Sequence, residues 1–409
     1  MRNVKASGPV ALRKLNRGVV LDLLRAERPI SRTGLARKAR LSKPTISVIV
    51  DQLLALDLVC EVGLGHSRRG RRPVMLDFNP DARLVAGAEL QELEWVIVLT
   101  NLDGRVQERI TVAAVNADPR TVAGALAEGL DQLCQRVDRS SVLGVGVGVP
   151  GTVSVQTGIV ALSLALGWND VPLKELVEEA TGLPAAVANR CKGAALAEKW
   201  HGVGQEIDDL IYVRVGTGIG AGFVHRGDLF LGSSYAGELG HCSIYPDGPL
   251  CACGNRGCLE ALASGPALAA RARERILQGE ESLLVSMSSD EPANITAKMV
   301  EQAAREDDAL AKDVLAETGA FLGIAIGTLI NLYNPQMVVL GGPVSRAGPF
   351  LMDSLCREAE HRSLHLLSQD VRFEMSVLGQ DAGPVGAATM ISRQLNDLLD
   401  WSQIDNGEE

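Results

Sequence analysis

Aromatic residues are scarce in this sequence, with six Phe, four Tyr and four Trp in 409 positions. The chain is nevertheless 46% hydrophobic, so any core it buries must be aliphatic. No run of about 18 uncharged apolar residues occurs, and no membrane span is expected. The first residues, Met1-Arg2-Asn3-Val4-Lys5, lack the apolar stretch of a secretory signal. A cytoplasmic location is therefore expected, with the eight cysteines kept reduced. The chain also lacks net positive charge. At −10 it argues weakly against contact with nucleic acid.

That total hides an asymmetry. Residues 1–80 hold 16 lysines and arginines against six acidic residues, while the remainder holds 24 basic and 44 acidic ones. A basic head on an acidic body is what results when only the head meets phosphate. Length alone suggests two or three domains. We divide the chain into 1–80 and 81–409.

Local signals in the head are specific. Leu15, Val19, Val20, Leu23 and Leu24 recur at helical spacing, and Pro29 ends that helix. Ser31 caps a second helix through Leu35 and Ala39. After a turn at Arg40-Leu41, Ser42 caps a third, with Pro44 in its first turn, where a missing N–H costs nothing. Ile46, Ile49, Val50 and Leu53 give that helix one apolar face. A strand from Leu58, a basic loop with Arg68, Arg69, Arg71 and Arg72, and a return at Val74 then predict a β-hairpin wing. Such a wing suits phosphates or a minor groove. Ser42, Lys43, Thr45 and Ser47 would face base edges in the major groove of double-stranded DNA.

After Asn79-Pro80, strands alternate with helices, which predicts an α/β body of two lobes around a cleft. Strands are expected near 84–90, 95–100, 105–112, 142–151 (this one ending in a tight turn), 210–215, 221–224 and 337–340, with a helix near 121–137. One His and three Cys lie close together in sequence: His241, Cys251, Cys253 and Cys258. Glycines make the turns between them, so the four can close a tetrahedral site for structural Zn2+. With every ligand a protein group, no position remains for a catalytic water. Cys60, Cys134, Cys191, Cys242 and Cys356 lack such spacing and read as buried small apolar residues.

Glu-x-Gly-His at 238–241 and Cys-x-Cys-Gly-x-x-Gly-Cys-x-Glu at 251–260 resemble the ROK family (repressors, open reading frames and kinases). So do Gly146–Gly151, Gly167-Trp168, the glycine-rich run at 216–222 and Leu340-Gly341-Gly342. The head with its Gly70-Arg71-Arg72-Pro73 wing is similar to that of the family's repressors. The resemblance implies an α/β fold in which a winged helix-turn-helix precedes a two-lobed actin-like (ribonuclease H-like) domain. It also implies a dimer or tetramer, and a sugar held by Asn189, Glu238, His241 and Glu260.

Two departures argue against kinase chemistry. Family kinases carry Asp-x-Gly-Gly-Thr at a phosphate-wrapping turn, where this chain has Glu89-Leu90-Gln91-Glu92-Leu93. They also carry Asn-Asp, with the Asp as general base, where this chain has Asn189-Arg190. Arginine stays protonated and cannot be a base. The expectation is a non-enzymatic, DNA-binding regulator that senses a sugar or sugar derivative. Arg190 leaves three options: pairing with Glu238 or Glu260, selection of an anionic sugar, or a vestigial cleft.

Overall fold

In the computed structural model, residues 8–65, 72–399 and 401 are described. Helix α1 (Pro9–Ala26) begins six residues before the expected Leu15. Leu12 and Leu15 are exposed, so the burial periodicity starts later than the helix does. A short strand β1 (Ile30–Ser31) leads into α2 (Arg32–Ala39), then α3 (Lys43–Ala55). Both expected caps form: Ser31 Oγ accepts the Gly34 amide at 3.1 Å, and Ser42 Oγ accepts the Thr45 amide at 3.2 Å. Between the helices Arg40 takes the left-handed conformation, φ 56°, that ends α2. Leu35, Ile46, Val50 and Leu53 are completely buried where α2 meets α3.

Strands β2 (Val59–Leu64) and β3 (Val74–Phe78) form an antiparallel hairpin, with β1 on the far side of β3. The register shifts between Glu61 and Gly63, bulging Val62 out of the ladder. The Gly65 amide donates to the Pro73 carbonyl at 2.8 Å and carries the pairing toward the tip. Residues 66–71 lie outside the described residues, and with them Arg68, Arg69 and Arg71.

Lobe one contains β4 (Leu84–Gln91), β5 (Glu94–Asn101), β6 (Val106–Ala113), α4 (Pro119–Cys134) and β7 (Val142–Val149). A small sheet of β8 (Thr152–Val153), β9 (Val160–Ser163) and β10 (Trp168–Val171) comes next. Then come α5 (Leu173–Thr181), β11 (Ala185–Asn189) and α6 (Arg190–His201). Lobe two contains β12 (Leu210–Val215), β13 (Ile219–His225), β14 (Asp228–Leu229), α7 (Leu259–Ala263), α8 (Gly265–Leu277) and α9 (Leu284–Met287). It continues through α10 (Ala297–Arg305), α11 (Ala309–Tyr333), β15 (Met337–Gly341), α12 (Pro349–Arg362), α13 (His365–Ser368) and β16 (Arg372–Met375). The chain returns through α14 (Ala382–Ser392) and α15 (Leu395–Leu398).

The two main sheets repeat one topology. Their orders are β11-β7-β4-β5-β6 and β14-β13-β12-β15-β16, each a three-strand antiparallel meander extended by two parallel strands. Central strands β4, β5 and β7 are buried on both faces and read as continuous apolar runs, whereas edge strand β6 alternates.

One helix of lobe two bears on the expectation of no membrane span. Among the described residues, α11 is long and apolar enough by length and composition to cross a bilayer. Its charges fall in its first turns, which is why no uninterrupted apolar run marked it. In the fold 56% of its most apolar window is buried, and it packs along α12 as a core helix of lobe two. The cysteine reading also changes. Cys191 is buried, but Cys60 and Cys242 are exposed and Cys134 and Cys356 half-buried.

The head is packed against the body. Val20, Leu21 and Leu24 of α1 share one apolar cluster with Val85 and Leu102 of lobe one and with Ile391, Leu395 and Leu399 near the C-terminus. Burying Leu24 alone contributes about 1.5–3 kcal/mol. Polar contacts finish the seam: Lys14 pairs with Asp397 at 2.8 Å, and Arg28 with Asp103 at 2.6 Å. The Arg17 guanidinium lies 4.3 Å from the centre of the Trp401 ring.

Helix α14 joins this seam to both lobes. Gly87 of β4 and Gly146 of β7 admit its backbone; a Cβ at either would collide with Pro384 or Ala387. His201, closing α6, shares a 3.0 Å hydrogen bond with Thr389 of α14 and packs on Gly104 beside Asp103. Burial holds this imidazole below its ordinary range, Asp103 opposing and Arg25 reinforcing the effect. A depressed histidine contributes stability above its unfolded value, about 6.5, and loses it as pH falls. The denaturant midpoint should therefore drop below that pH, and His201→Gln should flatten the slope. An unchanged slope in the variant would show that His201 does not sense the medium.

Candidate functional site

On α3, Ser42 and Lys43 are exposed, and Thr45 and Ser47 are half-buried. The Ser42 hydroxyl is already engaged, capping the helix and meeting Thr45 Oγ1 at 2.8 Å. Arg32 reaches the Ser47 carbonyl at 3.3 Å and Asp51 at 2.8 Å, which fixes α2 against α3. Lys43 has no ion-pair partner among the described residues. Val48 is 44% exposed and was not singled out in sequence. Its signal was available: an apolar residue out of register with Ile46, Ile49, Val50 and Leu53. An exposed methyl pair on such a helix suits a thymine methyl. Arg37, Arg40 and Arg72 are also exposed.

In lobe two, the expected metal quartet converges. The ligand atoms of His241, Cys251, Cys253 and Cys258 all lie within 4.8 Å of one another. Cys253 Sγ is 3.7 Å from Cys258 Sγ, and Cys251 Sγ is 3.8 Å from His241 Nδ1. A tetrahedron of 2.3 Å zinc–sulfur bonds has edges of about 3.8 Å, so the donor set and spacing fit Zn2+. The loop is stitched to α7. Ser243 bridges Cys258, and the Leu259 amide donates to the Cys242 carbonyl at 2.9 Å. Cys258 then caps α7, whose first turn carries Glu260.

The cleft groups come together across the lobes. Asn189 ends β11 and caps α6; its Oδ1 accepts the Cys191 amide at 2.8 Å and its Nδ2 donates to the Gly151 carbonyl at 2.8 Å. It holds the Gly148–Gly151 turn, with one amide hydrogen left for a ligand. Glu260 Oε2 accepts the Ile219 amide at 2.9 Å. Glu238 accepts from Thr152 Oγ1 at 3.5 Å, a contact between the lobes. Burial raises the Glu238 carboxyl, while His241 and Lys192 pull it down. Lys192 donates to the Ser234 carbonyl at 2.5 Å.

Arg190 pairs with neither Glu238 nor Glu260, which removes the first of its three options. It has no ion pair or hydrogen bond among the described residues. The ion pair that does form is one the sequence did not reveal: Glu89 of β4 with Arg214 of β12, at 3.0 Å, both nearly buried. The Glu89 carboxylate also sits against Gly383 in the first turn of α14. A side-chain anion thus occupies a helix N-terminus beside an arginine. Beyond Arg214, a cavity of about 420 Å³ is lined by Gly216, Thr217, Gly265 and Val344 of lobe two. Glu92 of the β4–β5 turn closes it from lobe one, in the left-handed conformation at φ 58°.

A family model described as the ROK family matches residues 92–394. The chain belongs to the ROK family. A xylose repressor of Caldicellulosiruptor bescii is 32% identical over 396 residues, covering 96% of this ROK protein and 98% of that one. A crystal structure of a ROK family transcriptional regulator, a homolog of the Escherichia coli Mlc protein, superposes with TM-score 0.85 and 31% identity. It covers 97% of this chain and 100% of that chain. A ROK family glucokinase from Streptomyces griseus, solved with glucose and AMPPNP, gives TM-score 0.69 and 29% identity. That match covers 98% of the glucokinase but 75% of this chain. The likeness to regulators takes in nearly the whole molecule; the likeness to this kinase leaves a quarter of it unmatched.

Proposed function

We propose that this ROK protein is a sequence-specific DNA-binding transcriptional regulator, a repressor, whose kinase-like body senses a sugar or sugar derivative without phosphorylating it. In this reading residues 1–80 are a winged helix-turn-helix and residues 81–409 the effector and oligomerisation domain. One arrangement carries it: α3 presents Ser42, Lys43 and Val48 outward from a head seated on the body, while the body has Arg190 where the kinases have their base. Zn2+ on His241, Cys251, Cys253 and Cys258 would be structural. A dimer or tetramer would set the spacing of paired heads on operator DNA.

The seam explains how cleft and head could communicate. Helix α6 runs from Asn189 and Arg190 to His201, which touches both α14 and the turn gripped by Arg28. A change of lobe angle would move that corner, and a shift of a few ångströms between two heads spoils simultaneous docking. Typical couplings of about 1–3 kcal/mol correspond to 5–150-fold in affinity.

Selection from random duplexes by the full chain should yield a two-fold operator. Lys43→Ala should then flatten the salt dependence by about one unit of slope. Val48→Asp should cost more than tenfold in affinity without lowering the melting temperature, because Val48 is exposed. Failure to enrich any sequence would overturn the DNA-binding reading.

Sugar-dependent ATP turnover should be absent. Arg190→Asp alone should not create it, because Glu89–Leu93 still lacks the phosphate-wrapping glycines. Robust turnover by the native chain would make it an enzyme.

A further inference from the structure

Arg190 opens α6 on the lobe-one wall of the cleft, its backbone close against Gly148. Every acidic group near it is already engaged. Glu89 is taken by Arg214 and by the first turn of α14. Glu260 holds the Ile219 amide, and turning it toward Arg190 would strand that buried donor. Glu238 accepts from Thr152 and faces His241 and Lys192. What remains is a half-buried guanidinium with five donors and, among the described residues, no hydrogen-bond partner. Burial pulls its pKa down, the neighbouring Arg214 adds to this, and Glu89 and Glu260 only partly offset it.

A half-buried cation without a partner is unfavourable and is relieved by an anion. The planar fork of arginine matches the two oxygens of a carboxylate or phosphate in parallel hydrogen bonds. We propose that the effector of this cleft is a sugar derivative bearing a carboxylate or phosphate, and that Arg190 binds that oxyanion. The proposal rests on the sugar-sensing reading above and names the chemical class of its ligand. The same cleft offers acceptors for hydroxyls on Glu238 and a donor on Asn189, so the ring would sit between the lobes with its charged substituent toward α6.

Calorimetry on the full, zinc-loaded chain tests this with neutral aldohexoses and aldopentoses, the matching uronic acids, and the matching sugar phosphates. Inorganic phosphate and acetate serve as anion controls. A charged sugar should bind, its neutral parent at least tenfold more weakly, and the simple anions not measurably. Arg190→Gln should weaken the charged sugar by tens to about a hundredfold while retaining zinc and melting temperature. The uronic-acid and phosphate arms separate the two sources of the oxyanion. If neutral sugars bind the native chain as well as their charged counterparts, or if Arg190→Gln keeps full affinity, this proposal fails and the sugar sensor stands. If no member of any arm binds, the sensor reading fails as well. Binding of inorganic phosphate as tight as that of any sugar phosphate would also defeat it.

Discussion

Cys253→Ser should abolish zinc binding and unfold the 242–258 loop. Elemental analysis should find one zinc per native chain and none in the variant. Structural zinc contributes on the order of 10 kcal/mol to the segment it folds. Here that segment is tied to α7 through Cys258 and the Leu259 amide, so Glu260 would lose its position and release the Ile219 amide. Effector response should go with it. Operator binding should persist in the variant, because the head packs on lobe one and the C-terminal helices. Cys242→Ser is the control: this thiol is exposed, adjacent to His241 and outside the quartet, and its loss should leave zinc in place. Native protein without zinc, purified with no chelator, would refute the assignment.

Glu89→Ala should destabilise the chain by about 3–5 kcal/mol, because it strands Arg214 as a buried cation between the lobes. Burial pulls the Arg214 pKa down, but its neighbours together, Glu89 foremost, raise it above its ordinary value. Arg214 Nε already lacks a partner, so little else is available to compensate. The double variant Glu89→Met with Arg214→Met should recover much of the loss, since neither charge is then left alone. Denaturant unfolding of the four proteins measures the cycle. A cost below about 1 kcal/mol for Glu89→Ala would mean that the pair is solvated and does not tie the lobes together.

Much of the site was legible because its signals are local. Ser31 and Ser42 announce helix starts because a cap needs only its own hydroxyl and an amide three residues on. The His–Cys quartet was readable because Cys251, Cys253 and Cys258 span eight residues and the turns between them need glycine. Strands β4, β5 and β7 were readable as apolar runs of strand length. Periodicity failed where burial and secondary structure part company. Helix α1 starts at Pro9 although its buried face starts later, and α11 is a core helix whose charges are confined to one end. For five cysteines no pattern existed, and their exposure came from the fold alone.

The sequence by itself determined the helix caps of the head, the apolar strands of lobe one, the candidate metal quartet and the departures from both kinase motifs. Each depends on residue type and on partners a few positions away. Only the tertiary structure decided which charges meet. Glu89 and Arg214 are 125 positions apart and pair because β4 and β12 begin equivalent sheets that face one another across the cleft. The same closure engages Glu238 and Glu260 elsewhere and leaves Arg190 without a partner among the described residues. It also seats Leu24 against Leu395, joining the head to the far end of the chain. Coulombic and apolar contacts act through space, so their partners are fixed only once the lobes have closed.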